Sequence, residues 1–252
     1  MSKRIYFGVS FILLTFFSLQ LNAVEPTEKN IRYSDKYERS IFDIWTVKSD
    51  KPAPLVIYFH GGAFRFGDKG HFYRSPFLKD YQPKGIAFAT ANYPFLAHTN
   101  NSYPEIMQHC QECVKFIKQN SEKYNIDPDK VCVMGSSAGA LISCYLGHGT
   151  DSSVKGIYAH LQPIGTEFLT MPFLKKGGPP IILYNPNAND KVHPPQKAEL
   201  VQERCEKLGV FSEAYGGKGT NLLPIPPDQK LHHIVMKMFY KSWGMDLTSS
   251  KN

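Results

Sequence analysis

Gly135-Ser136-Ser137-Ala138-Gly139 follows the apolar run Val131–Met134 directly and opens an apolar helical stretch. A G-x-S-x-G pattern gains its meaning from that strand–turn–helix setting: a sharp turn lifts the central hydroxyl above the sheet, and small flanks are needed where side chains would collide. The spacing makes Ser137 a candidate nucleophile and Ser136 a small flank. An attacking serine creates a tetrahedral oxyanion, which preorganised donors stabilise by about 3 kcal/mol each. His60-Gly61-Gly62-Ala63, at the end of another apolar run, has the composition to supply them. The N–H groups of Gly62 and Ala63, with Gly61 giving the turn its freedom, are expected to converge with that of Ala138 on an oxyanion hole. His60 reads as a loop-fixing residue.

Elements able to position these residues alternate along the chain. An imperfect alternation over Arg39–Val47 suits a strand near a sheet edge, while Pro54–Phe59, Ile86–Asn92 and Val131–Met134 are near-continuous apolar runs, the pattern of strands covered on both faces. Further strands are expected at 154–160, 180–184 and 210–215. One helical face (Ile106, Met107, Cys110, Cys113, Val114, Ile117) runs from Tyr103 to Tyr124, and helices are expected after Ser137, after Pro195 and over 232–243. Strands alternating with helices make a parallel α/β sheet. With 42% hydrophobic and 20% charged residues over 252 positions, the chain is too apolar to be disordered and is read as one domain over 24–252.

Four segments carry a family resemblance: Tyr58–Lys69 with its His-Gly-Gly-Ala core, Ala91-Asn92-Tyr93-Pro94, Tyr124–Lys130, and Met134–Gly139. They resemble the α/β-hydrolase esterases, particularly the acyl-esterase and hormone-sensitive-lipase-like branches, over roughly residues 31–243. The resemblance implies an α/β-hydrolase fold, with a mostly parallel central sheet and helices on both faces. It also implies a Ser-His-Asp triad in the chain order nucleophile, acid, base. Asp190, in the loop after the 180–184 strand, matches the acid. The base is expected at His232, with His233 as the alternative, just before the last helix; His193 reads as a loop residue. Two positions depart from the family: Pro94 stands where an Arg often follows the Tyr, and His109 where an Asp is expected, which implies loss of a structural ion pair.

About 20 residues separate His160 from Pro180, room for a minimal cap only, and Phe64, Phe66, Phe168 and Phe173 are candidates either for a cleft lining or for core. An open cleft suits a small-molecule ester or an acylated polysaccharide. The chemistry requires no cofactor and no metal. A peptidase or amidase on the same fold, or a hydrolase-fold binding protein without turnover, are the competing readings.

Residues 1–23 run from a basic start (Lys3, Arg4) through the apolar stretch Ile5–Phe17 to polar Gln20 and Asn22, the order of a signal peptide. A secreted or periplasmic location is therefore expected, with no membrane association after cleavage. Removing Lys3 and Arg4 takes the net charge from +7 to +5, and the basic residues are scattered, so no nucleic-acid partner is expected. Five cysteines, Cys110, Cys113, Cys132, Cys144 and Cys205, leave at least one unpaired and sit at positions that read as structural rather than reactive.

Overall fold

The computed structural model describes residues 23–150 and 153–246; apart from Ala23, the expected leader lies outside the described residues. Among the described residues nine strands form one sheet in the order β1-β2-β4-β3-β5-β6-β7-β8-β9. They are β1 (Glu28–Arg32), β2 (Ile41–Trp45), β3 (Ala53–Phe59), β4 (Ala87–Ala91), β5 (Ile126–Ser136), β6 (Ile157–His160), β7 (Ile181–Asn185), β8 (Ser212–Gly216) and β9 (Leu223–Pro224). Only the β1–β2 and β2–β4 pairings are antiparallel; every pairing from β4 through β9 is parallel.

The near-continuous apolar runs are buried on both faces, as a sheet covered twice requires. Within β3, Leu55, Ile57 and Phe59 face one core and Val56 the other; β5 sends Val131 and Val133 one way and Cys132 and Met134 the other. Helices α2 (Tyr103–Gln119), α3 (Ser121–Tyr124), α4 (Ala138–Cys144) and α6 (Pro195–Lys207) contribute to the first core. Helices α1 (Pro76–Tyr81) and α7 (Leu231–Ser242) cover the second. The short α5 (Thr166–Leu169) lies in the β6–β7 connection.

The expected 103–124 helix breaks at Asn120, which leaves helical geometry (φ −103°, ψ 25°) and starts the separate turn α3. Ser102 caps α2 by accepting from the Glu105 N–H at 3.3 Å, and Pro104 sits in the first turn where its missing N–H costs nothing. Strands β1 and β9 were not anticipated: β1 (Glu-Lys-Asn-Ile-Arg) lacks an apolar alternation, and β9 has two exposed residues. All five cysteines are buried and unpaired. Among the described residues no helix is long and apolar enough to cross a membrane.

Parallel register brings the functional loops together at one end of the sheet. Phe59 pairs with Gly135, Ser136 with His160, and His160 with Tyr184, so the segments leaving β3, β5, β6 and β7 all emerge at the carboxyl edge. Such an edge is where α/β sheets build their sites.

Candidate active site

Ser137 occupies the turn between β5 and α4 at φ 55°, ψ −115°, backbone geometry that costs of order 1–3 kcal/mol. The surroundings hold it there. Its N–H donates to the His160 carbonyl at 2.9 Å, and its carbonyl accepts from Ala140 at 2.9 Å and Leu141 at 3.3 Å. A Cβ on Gly135 would fall 2.2 Å from the Gly139 oxygen, and one on Gly139 would fall 1.9 Å from the Phe59 oxygen. The two glycines of the motif are thus required by close packing of α4 on the sheet.

The loop after β3 lies directly against this turn: a Cβ on Gly61 would sit 2.9 Å from the Ser136 oxygen and 3.3 Å from the Ser137 Cβ. Gly62 (φ 119°), Ala63 (φ 50°) and Phe64 (φ 59°) are all left-handed, and the Gly62 carbonyl accepts from Arg65 and Phe66. Among the described residues no acceptor takes the N–H groups of Gly62, Ala63 or Ala138. Of the aromatic candidates for a cleft lining, Phe64 is core, packed on Tyr93 and Tyr103, and Phe173 packs on Tyr145, whereas Phe66 and Phe168 are exposed.

His60 braces the loop. Its Nδ1 donates to the Gly61 carbonyl at 2.6 Å, leaving Nε2 to accept from Arg39 at 3.3 Å, and its ring stacks on Tyr93 at 4.4 Å. Arg39 also donates to the Tyr93 and Gly67 carbonyls at 3.0 and 2.9 Å and lies over the Phe95 ring. A guanidinium entering ahead of β2 therefore ties down the segment that Pro94 leaves without one. His109, in turn, bonds Ser40 at 2.6 Å and Glu112 at 2.8 Å.

Burial pushes the pKa of His60 down to about 4, and burial does the same to His148 and to His160, which stacks on Tyr158 and Tyr184. A histidine kept neutral in the fold and protonated at 6.5 when unfolded contributes stability that is complete above pH 6.5 and drains away as pH falls toward 4. For His60 alone the loss is roughly 3 kcal/mol. Denaturant titrations from pH 7 to 4 should show this decline, and His60→Gln should flatten part of it; a flat profile in the wild type would contradict the assignment.

The loop after β7 brings the remaining polar groups in. Asp190 Oδ1 accepts from the N–H groups of Val192 at 2.8 Å and His193 at 2.9 Å, curling the chain so that the His193 ring returns to the same carboxylate. His193 Nδ1 lies 3.0 Å from Asp190 Oδ2, and Nε2 lies 2.9 Å from Ser137 Oγ. The His193 backbone N–H first, and its ring second, hold the Asp190 carboxyl below the usual carboxylate range. Asn185, fully buried at the end of β7, fastens this loop to the one after β6. Its amide donates to the His193 and Gln162 carbonyls at 3.0 and 2.9 Å and accepts from the Gln162 N–H at 2.9 Å. The Ile164 N–H adds a bond to the Val192 carbonyl at 2.8 Å.

The structure thus joins Ser137 and Asp190 through His193, and it corrects the expectation that His232 or His233 faces the serine. His232 Nε2 is taken by Asp80 Oδ2 at 2.8 Å, and His233 Nδ1 by the Tyr81 hydroxyl at 2.8 Å, both on α1. The order nucleophile, acid, base survives, with the last two only three residues apart. The sequence carried two signals for this: an Asp followed at the third position by His, and a 216–230 loop with no histidine in it.

Comparison with known proteins agrees with this architecture. A truncated form of a carbohydrate esterase from gut microbiota superposes with a TM-score of 0.70 at 17% identity, covering 85% of this chain and 95% of that one. The propionate-bound esterase Est2 of Thermogutta terrifontis superposes at 0.64 with 16% identity, covering 89% and 94%. Lipase 1 of Geotrichum candidum is 28% identical over 122 residues, 43% of this chain; that stretch is 22% of the lipase, about a fifth of its length. The BD-FAE family model matches residues 42–167, half of the chain and the part that carries β2 through α5. With the α/β-hydrolase sheet, its serine turn and the glycine loop beside it all in place, the chain belongs to the BD-FAE family.

Proposed function

We propose that this protein is a serine-dependent carboxylic ester hydrolase in which His193, not a histidine of the last helix, is the base. The observation that carries the proposal is the unbroken hydrogen-bond chain Ser137 Oγ–His193 Nε2 and His193 Nδ1–Asp190 Oδ2 beside backbone N–H groups that no acceptor among the described residues takes. As the Ser137 oxygen attacks the ester carbonyl, its proton passes to His193 Nε2, and Asp190 offsets the positive charge on the ring through Nδ1. The carbonyl oxygen, now negative, is held by the N–H groups of Gly62, Ala63 and Ala138. His193 returns the proton to the departing alcohol, leaving an acyl-serine. A water, deprotonated by the same ring, then releases the acid.

Exposed Phe66 and Val192 lie on the loops that carry these groups, and exposed Ile164 on the loop bonded to Val192; together they offer an apolar rim to the acyl or sugar part of a substrate. Two solved structures of this fold are described as a carbohydrate esterase and as an acetyl ester-xyloside bifunctional hydrolase, which supports an acylated carbohydrate as the substrate class. The basic–apolar–polar order of residues 1–23 supports export to a compartment where such substrates occur.

A fluorophosphonate should add one label per wild-type chain by intact mass and none to Ser137→Ala. Absence of label on the folded wild type would overturn the triad and put the reading of a hydrolase-fold binding protein first.

A further inference from the structure

Outside the serine site, three side chains with metal-binding chemistry meet between α1 and α7. One ligand atom each from Asp80, His232 and His233 lies within 4.8 Å of the other two. Neighbouring residues on a helix normally diverge by about 100° and do not face each other. Here the rings of His232 and His233 have centroids only 4.1 Å apart and turn toward one carboxylate on another helix.

We propose that Asp80, His232 and His233 form a binding site for a first-row transition-metal dication, zinc being the best match to a two-imidazole, one-carboxylate set. The outer contacts suit it. The Tyr81 hydroxyl on His233 Nδ1, at 2.8 Å, fixes that ring and leaves Nε2 to ligate, the arrangement by which metal-binding histidines are oriented. Phe77 packs edge-on against His232 and holds the second ring. Tetrahedral zinc sets its ligand atoms roughly 3.3 Å apart, so the 2.8 Å between His232 Nε2 and Asp80 Oδ2 must open slightly. With the Asp80 side chain 32% exposed, there is freedom for that and a face open to solvent for a fourth ligand. The first turn of α7 and the nearby Lys84 and Lys230 oppose a cation. Those screened charges act at a distance, whereas three coordinate bonds act directly.

The site is independent of the ester chemistry, and the test separates the two. Zinc chloride is titrated calorimetrically into the full chain after chelator treatment. One equivalent should bind, Asp80→Asn and His233→Gln should each weaken binding at least tenfold, and Tyr81→Phe should weaken it by roughly 10–100-fold. His193→Gln, which removes the histidine at Ser137, should leave the titration unchanged. Cobalt in place of zinc should give the visible absorption of a tetrahedral site in the wild type and lose it in both ligand variants. Circular dichroism of the metal-free variants checks folding, and His233→Gln, at the half-exposed ring, decides should Asp80→Asn fail to fold. No uptake by the wild type, uptake that survives the ligand variants, or uptake lost only in His193→Gln would each overturn the proposal.

Discussion

Replacing His193 with glutamine should lower kcat on an activated ester by roughly 10⁴–10⁶-fold with little change in KM, while His232→Gln leaves kcat unchanged. Among the described residues only His193 reaches Ser137 Oγ, at 2.9 Å, and only that ring is oriented by Asp190, at 3.0 Å. Glutamine can still hydrogen-bond the serine but cannot take up its proton, so the loss falls on the chemical step rather than on substrate binding. In the proposed mechanism ester is bound through the glycine loop and the apolar rim, neither of which His193 builds. Asp190→Asn should cost less than the histidine change, because it leaves a proton acceptor in place and removes only its orientation and the charge that stabilises it. Steady-state kinetics on the three variants checks the order. Activity retained in His193→Gln and lost in His232→Gln would place the base on α7 and overturn the reading.

That contrast marks where the sequence was informative and where it was not. The Ser137 turn and the Gly61–Ala63 loop were legible because local constraints dictate them: a left-handed serine between two glycines on which a Cβ would fall within 2.3 Å of neighbouring backbone tolerates almost no other residues. The parallel core was legible because β3, β4 and β5 are covered on both faces, and an apolar run records that directly. The histidine that faces Ser137 was not, because its position depends on how a loop folds back. Asp190 caps two N–H groups of its own turn, which swings His193 onto the carboxylate, and Asn185 pins the turn from below. The family resemblance pointed to a later loop, and His232 met that expectation in sequence while meeting Asp80 in space. Arg39 was missed for the same kind of reason. It precedes β2 by two residues yet fastens Tyr93 and Gly67, contacts separated from it by 54 and 28 positions.

Lys69→Met should cost about 3–5 kcal/mol of folding stability, as much as truncating a large core side chain. Asp43 is fully buried on β2 and accepts from the Asn30 N–H at 2.7 Å, from Lys69 Nζ at 2.6 Å and from the Tyr73 hydroxyl at 2.6 Å. Two of those donors are neutral; the lysine alone balances the charge. Burial first, and then the bond to Asp43, push the Tyr73 hydroxyl pKa up, so that it remains a donor throughout the neutral range. Removing the ammonium leaves a carboxylate in the interior with dipoles but no counter-ion, which is the costly way to break a buried pair. Lys69 also opens the 3₁₀ turn behind the glycine loop, with its N–H on Asn92 at 2.8 Å and its carbonyl accepting from Thr90 at 3.0 Å. Those backbone bonds survive the substitution, so the loop should keep its shape while the global stability falls. Urea unfolding should register the loss, with Tm lower by roughly 6–20 °C. Adding Asp43→Asn should recover part of it by removing the stranded charge. Lys123→Met, which breaks an exposed pair with Glu28, should leave the midpoint where it was. Equal effects of Lys69→Met and Lys123→Met would show that the Lys69–Asp43 pair is solvated in solution and adds no more than a surface contact does.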